Sequence, residues 1–230
     1  MIRVNFLLAT FALISYSQEE ANTSQKKNGG WTTLDEERIA QPGPCNIDRV
    51  DISTMTFTQK QFIENYAYHR PVVIVKGTDN SKFHAMCEKS QLLEKYGHKV
   101  VRLSSANTYS YDKRDVELSH YVDHIMRPQT LDRLGNAAGT GVPFHFHGPG
   151  FAEVIYGRKR WFMYPPEKQP AFNPNKTTLH WLMEEYEKLH PSDMPLECTI
   201  DQGEAIYFPD RWWHGTLNID TSVFISTFLG

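Results

Sequence analysis

In the N-terminal half of the chain, segments with the hydrophobic spacing of helices alternate with short apolar runs typical of strands. Thr58 and Gln61 have the spacing of a helix capping box, and an amphipathic helical face follows them. The β-branched run over residues 71–75 predicts a buried strand, and a second strand is predicted over 99–103. Between residues 116 and 126 the apolar positions recur at helical spacing. This half is therefore predicted to supply helices that flank a sheet.

The pattern changes from about residue 143, where short apolar strands follow one another with Gly, Pro and Asp between them. One helix, over residues 177–190, interrupts the series. The predicted strands cover residues 144–147, 153–156, 159–164, 198–200, 204–208, 215–217 and 222–228. Many short strands separated by turn residues are typical of a β-sandwich or barrel. The fold class is therefore predicted to be mainly β with flanking helices.

Length and charge narrow the class of protein. At 230 residues, 40% of them hydrophobic, the chain is long enough to form one large core. The formal net charge of −3 leaves no basic surplus to neutralise a phosphate backbone. Nucleic acid is therefore not an expected partner.

The first residues have the three parts of a secretory signal peptide. A basic start is followed by an apolar run over residues 4–14 and by Ser17, after which cleavage is expected. That run is shorter than the roughly 20 residues that span a bilayer, and no other stretch approaches that length, so we expect no membrane span in the mature chain. The sequence is divided into a signal peptide (1–17), a flexible Gly- and Pro-containing segment (18–44) and one folded domain (45–230).

Other features agree with an oxidising compartment. Asn22 and Asn175 begin N-glycosylation sequons. The three cysteines, Cys45, Cys87 and Cys198, allow one disulfide and one free thiol, and the sequence leaves the pairing open. The last residues form no KDEL-type retrieval signal, so retention in the lumen of the endoplasmic reticulum would need a partner. We expect the endoplasmic reticulum lumen, with secretion as the alternative.

Two histidines at alternating positions and a third far downstream are the main candidates for chemistry. His145 and His147 lie two residues apart, so on a strand both side chains project from one face. His214, in a later strand, would complete a three-imidazole site. Neutral imidazole binds iron, zinc, copper and nickel, and three protein ligands leave open positions on the metal. We predict a metal site at these residues; ordinary surface histidines are the alternative.

A lysine shares a strand face with two apolar residues. In the strand predicted over 159–164, every second position is occupied by Lys159, Trp161 and Met163, whose side chains therefore share one face. If that face points into the barrel, Lys159 can hold the carboxylate of a small acid that chelates the metal. The alternative is a solvated basic edge strand.

Several motifs, taken together, resemble those of a JmjC domain of the small cupin-like type. They occupy residues 142–145, 157–166, 203–204, 207–209, 212–214 and 222–226. The resemblance extends over about residues 45–230. It implies a double-stranded β-helix (a jelly roll or cupin fold) and, in active relatives, a dioxygenase that uses Fe(II) and 2-oxoglutarate. In such relatives iron is held by a histidine, a carboxylate two residues later and a distant histidine, and a lysine grips the far carboxylate of 2-oxoglutarate.

This chain departs from the family pattern at one ligand. His145 and His214 match the two family histidines, and Lys159 matches the lysine that binds 2-oxoglutarate. His147 occupies the carboxylate position, which removes one negative charge from the site. Three-histidine iron sites are chemically reasonable, so Fe(II) with 2-oxoglutarate stays a possible cofactor pair, with another divalent metal as the alternative.

A second departure concerns the region between about residues 127 and 144. It is short for a JmjC domain, and the first barrel strand is expected to be missing. A missing strand would leave a sheet edge with unpaired backbone groups.

Three functions are compatible with the sequence. The first is regulation through protein interaction by a luminal protein with an altered metal centre. The second is hydroxylation of a protein substrate in the secretory pathway by an Fe(II)- and 2-oxoglutarate-dependent enzyme. The third is another metal-dependent cupin enzyme, in which Glu153 is a fourth ligand; for that residue an exposed strand-end glutamate is the alternative.

Overall fold

The computed structural model of the chain describes residues 28–31, 41–126 and 139–229. The predicted signal peptide, Asn22 and most of the segment 18–44 lie outside these residues. No helix in the described part is long and apolar enough to cross a membrane.

Nine elements precede the histidine motif. They are β1 Arg49–Asp51, α1 Gln59–Asn65, β2 Val72–Val75, α2 Ser81–Met86, α3 Lys89–Tyr96, β3 Val100–Ser104, β4 Lys113–Glu117, α4 Leu118–His120 and a π-helical turn, Tyr121–Ile125. The capping box predicted at the start of α1 is present, with Thr58 accepting from the Gln61 amide and Gln61 reaching back to the Thr58 amide. The helix predicted over 116–126 begins only at Leu118, because Val116 pairs with Val101 in a β3–β4 hairpin that the helical spacing concealed.

The strands that follow the histidine motif form the barrel. They are β5 Gly150–Tyr156, β6 Lys159–Tyr164, β7 Leu196–Ile200, β8 Glu204–Phe208, β9 Trp213–Asn218 and β10 Val223–Phe228, and helix α5, Thr178–Glu184, lies between β6 and β7. One sheet has the order β1-β2-β8-β5-β10 and the other the order β7-β6-β9. All these barrel pairings are antiparallel except β1 with β2.

The segment that carries the first two histidines runs antiparallel along β9. Its backbone bonds join Gly139 and Thr140 to Asn218, Val142 to Thr216, and His145 to His214. Within residues 144–147 the pairing is an isolated bridge between His145 and His214, so the strand predicted there is an irregular fourth strand of the smaller sheet.

The main core lies between the two sheets. Apolar side chains from alternate positions of both sheets meet there, as the period of two along a strand requires. The buried members include Val73, Ala152, Val154, Trp161, Met163, Ile206 and Phe208. A second cluster, which includes Phe144, Phe162, Leu179 and Trp181, packs α5 against the outer face of the smaller sheet. The two facing sheets form the expected cupin-like double-stranded β-helix.

Strand β10 is an edge strand. In the described part of the chain it pairs with β5 alone. Its inward residues Phe224 and Phe228 stay 40% and 61% exposed, although they stand opposite Val154 and Gly150. Residues 127–138, where the first barrel strand is predicted to be missing, lie outside the described residues, so that prediction stays a prediction.

One disulfide links the start of the folded domain to the barrel. Cys45, which is exposed, is bonded to Cys198, which is fully buried in β7. Cys87 is a free thiol whose pKa is raised by burial. The sequence allowed one bridge and one thiol, and the structure supplies the pairing.

Candidate metal centre

His145, His147 and His214 converge on one point. Backbone bonds hold His145 against His214, with N···O distances of 3.1 and 2.9 Å. One ring nitrogen from each of the three residues lies within 4.8 Å of the other two. His214 is buried and the other two are half-buried. The structure therefore brings together the three histidines that the sequence predicted to form a site.

All three imidazoles have the same tautomer. The Nδ1 atom of His145 lies 2.8 Å from the Pro143 carbonyl oxygen. That of His147 lies 2.8 Å from the Gly148 oxygen, and that of His214 lies 2.9 Å from the Trp212 oxygen. A carbonyl oxygen only accepts hydrogen bonds, so each Nδ1 carries the proton and donates. Each Nε2 is then left with a free lone pair, which is the form that binds metal.

The free lone pairs face one another. The Nε2 atoms of His214 and His147 are 3.2 Å apart. Two nitrogens about 2.0–2.1 Å from one metal ion and adjacent in its coordination shell are separated by roughly 3.0–3.4 Å. The spacing of this pair fits shared coordination, and a ring nitrogen of His145 lies within 4.8 Å of both.

The surroundings keep the site neutral. Burial, followed by the proximity of His145, lowers the pKa of His214 to about 3. Burial also lowers the pKa of His145. The ring of Phe208 stacks on His214 at 5.2 Å between centroids, which excludes water from that side. At neutral pH the imidazoles of His145 and His214 are therefore uncharged, so neither would reduce the positive charge of a bound divalent ion.

Aromatic rings surround the opening of the site. The ring centroids of Phe228, in β10, and His147 are 4.8 Å apart, and those of Phe146 and Trp213 are 4.7 Å apart. Both phenylalanines are more than half exposed. The opening is therefore apolar and accessible to a partner molecule.

Lys159 points into the barrel. Its side chain is 2% exposed, and its Nζ donates a hydrogen bond of 2.8 Å to the Asn218 Oδ1. Asn218 in turn donates to the Thr140 hydroxyl at 3.0 Å. Burial lowers the pKa of Lys159 to about 7. The inward orientation is the one that carboxylate binding requires, and it excludes the solvated edge strand.

A cavity of about 290 Å³ lies beside Lys159. It extends to Val142 and Pro143, directly before His145. Its polar lining comes from Arg102, Ser104, Ser105, Asn107, Ser110, Tyr121, Thr140, Lys159 and Asn218. The lining includes the amine of Lys159 and no carboxylate, while Arg102 is already paired with Asp115. An anion can therefore bind in the cavity beside Lys159.

The structure does not bring Glu153 to the three histidines. Its neighbours along β5, Ala152 and Val154, face the main core, so Glu153 faces the opposite side of the sheet. There its carboxylate accepts hydrogen bonds from the Thr78 hydroxyl, at 2.7 Å, and from the Asn80 amide. It is 6% exposed and is not an exposed strand-end residue either.

Asn175, which begins the second predicted sequon, is exposed in a turn before α5.

Sequence reasoning did not identify Asn218 as the partner of Lys159, because that contact depends on the pairing of Lys159 with Asn218 across β6 and β9. It also missed Arg102, which comes from a segment with no motif, and Phe224, whose motif over residues 222–226 does not show that it faces the cavity.

Comparison with known proteins agrees with this architecture. The family model described as a cupin-like domain matches residues 133–226. The human protein named JmjC domain-containing protein 8 is 45% identical to the chain, over 97% of this chain and 98% of that protein. The human 2-oxoglutarate and iron-dependent oxygenase JMJD4 is 30% identical over 39% of this chain and 24% of that protein. Among solved structures, the ribosomal oxygenase YcfD of Escherichia coli aligns with a TM-score of 0.44 and 15% identity, over 76% of this chain and 52% of that one. The chain belongs to the JmjC-domain family of cupin-like proteins.

Proposed function

We propose that this chain is a metal-binding JmjC-like protein of the endoplasmic reticulum lumen that acts in regulation by binding another protein. The observation that supports the metal site is the convergence of three imidazoles, each of which has its Nδ1 against a backbone carbonyl oxygen and so leaves the lone pair of Nε2 available. Lone pairs at that spacing repel one another unless a cation lies between them. His145, His147 and His214 would hold the ion, which would act as a Lewis acid toward an anionic ligand.

The altered ligand set favours an interaction role. In the family pattern a carboxylate stands where this chain has His147, and that carboxylate lowers the charge of the bound ion by one. Three neutral imidazoles leave the charge of a divalent ion unreduced, so the ion would attract an anionic group of another molecule more strongly. The exposed edge of β10 adds a surface on which another chain can pair.

The luminal location is supported by three features. The N-terminal sequence has the parts of a signal peptide, and Asn175 begins an exposed sequon. The Cys45–Cys198 disulfide needs an oxidising compartment to persist.

Metal analysis of protein purified from the secretory pathway of eukaryotic cells tests the metal site. We expect close to one equivalent of a divalent transition metal, lost in His147→Ala and His214→Ala variants. His180→Ala is the matched control, since His180 is an exposed histidine on α5. Glu153→Ala is expected to keep its metal. Retention of metal by the His214→Ala variant would contradict the proposal.

A second candidate is an Fe(II)- and 2-oxoglutarate-dependent hydroxylase. It is favoured by Lys159, which faces an anion-compatible cavity next to the histidine segment. The residues present fit this cofactor pair: the three histidines would hold the iron, and Lys159 with Asn218 would hold the far carboxylate of 2-oxoglutarate. Substrate-dependent production of succinate, abolished in Lys159→Ala, would establish this function. Absence of succinate from iron-loaded protein would leave the interaction role.

A further inference from the structure

The inner face of β10 is exposed although it points toward the space between the sheets. Phe224, Ser226 and Phe228 stand opposite Val154, Ala152 and Gly150 of β5. The first two of those β5 residues belong to the main core. All three β10 residues are nevertheless exposed, so this face is a slot that described residues leave uncovered.

The edge of β10 has none of the usual protection against pairing. From Val223 to Leu229 the chain contains no charged residue and no proline. Natural sheet edges are commonly guarded by lysine, proline or an inward charge. In the described part of the chain, β10 offers backbone groups on one side for an added strand.

The two ends of the slot differ in chemistry. At one end the Phe224 ring lies 4.2 Å from the Lys159 Nζ, beside the anion-compatible cavity. At the other end the Phe228 ring contacts His147. Phe224 and Phe228 are four residues apart on one strand, which corresponds to about 13 Å. An added strand would therefore place one side chain over the cation and another, four residues away, beside the metal centre.

We propose that an extended peptide segment of a partner protein pairs with β10, inserts an acidic side chain at Lys159 and packs an apolar side chain, four residues away, against Phe228. This inference rests on the proposed interaction function and names the class of partner. Backbone bonds supply the affinity, as in other cases of strand addition, and the two side chains supply the specificity.

Charge favours a partner peptide over a second copy of this chain. No carboxylate of the described residues pairs with the Lys159 ammonium group, which bonds only to the neutral Asn218. A second β10 strand carries no acidic residue and would cover Lys159 without neutralising it. A carboxylate from a different chain would form a charge-assisted hydrogen bond there.

Fluorescence anisotropy with synthetic peptides tests the proposal. The probe is a capped, threonine-rich peptide of about nine residues, long enough to cover the strand, with one Glu and, four residues away, one Leu. Its controls have Gln in place of Glu, a spacing of three residues, or methylated backbone nitrogens. The protein variants are Phe224→Ala, Phe228→Ala and, as a control of similar exposure on α5, Met183→Ala.

We expect the Glu peptide to bind at least about ten-fold more tightly than the Gln peptide, because a charge-assisted bond is lost. The methylated peptide should not bind, both Phe variants should weaken binding about five-fold or more, and Met183→Ala should have no effect. Equal binding of the Glu and Gln peptides, or unchanged binding by both Phe variants, would overturn the proposal. A dimer of the free protein that Phe228→Ala dissociates would assign the edge to a second copy and overturn it as well.

Metal content measured on the same preparations separates the two proposals. Protein that holds metal but does not distinguish the peptides contradicts the peptide site alone. Protein that binds the Glu peptide as predicted but holds no metal contradicts the metal centre and supports the peptide site.

Discussion

The Nε2 atoms of His147 and His214 face each other at a separation of 3.2 Å. The Nδ1 of each ring lies against a backbone carbonyl oxygen and donates to it, so Nε2 is the nitrogen that each ring has available for a metal. The fold therefore holds two potential ligand nitrogens together by backbone contacts. A metal ion bound between them would make His147 a direct ligand.

Replacing His147 tests that role. His147→Ala is expected to weaken metal binding by more than about 100-fold, since even the loss of an outer hydrogen-bond partner costs 10–100-fold. His147→Asp should keep or strengthen the binding of Fe(II), because a carboxylate is also a ligand and adds a negative charge. Competition with a fluorescent chelator measures both affinities. Equal affinities for the wild type and His147→Ala would show that the metal does not use this residue.

The binding of small dicarboxylates should depend on pH through Lys159. Its pKa is lowered to about 7 by burial, so the ammonium form is present below pH 7 and is lost above it. A carboxylate prefers the ammonium form, and we expect glutarate to bind roughly ten-fold more weakly at pH 8 than at pH 6. Calorimetric titration measures this change. In Lys159→Arg the charge persists and the dependence should be largely abolished; tighter binding of glutarate to the wild type at pH 8 would contradict the account.

The buried amine should also reduce stability. The folded-state pKa of Lys159 lies below the unfolded value of 10.5, so the free energy of unfolding rises with pH between about 7 and 10.5. Without ligand, Lys159→Met is expected to stabilise the protein by roughly 1–3 kcal/mol at pH 7, and the gain should shrink toward pH 10. Urea unfolding at several pH values measures it. If Lys159→Met had a lower free energy of unfolding than the wild type at every pH, Lys159 would stabilise the folded protein, and the expectation would be wrong.

The disulfide should contribute strongly to stability. It joins residues separated by 153 positions, and closing so long a loop restricts the unfolded chain. Cys45→Ser is expected to lower the free energy of unfolding by about 3–5 kcal/mol. Cys87→Ser, the control at the half-buried free thiol, should change it by less than about 1 kcal/mol. Equal urea midpoints for the wild type and Cys45→Ser would show that the disulfide does not stabilise the folded protein.

Much of the barrel was predictable because strand patterning is local. The period of two placed Lys159 on the same face as Trp161 and Met163, and the same rule placed His145 beside His147. The capping box at Thr58 likewise depends on neighbours three residues apart.

Other features depended on contacts that no local pattern contains. The β3–β4 hairpin was concealed because Val116 continues the helical spacing that begins in α4. Glu153 has a ligand's residue type, but its place on β5 turns it away from the histidines toward Thr78. The bond between Lys159 and Asn218 requires the register of two strands far apart in sequence. Register and face, rather than residue type, decided these cases.

X-ray absorption spectroscopy of the purified, metal-loaded protein would identify the ligands of the metal directly. We expect three imidazole nitrogens at about 2.0–2.2 Å from one ion, with the multiple-scattering signature of histidine rings. The count should fall to two in the His147→Asp variant, with an oxygen in place of the third nitrogen, and stay at three in Glu153→Ala. A wild-type shell with fewer than three imidazoles, or one that changes in Glu153→Ala, would contradict a centre built from His145, His147 and His214.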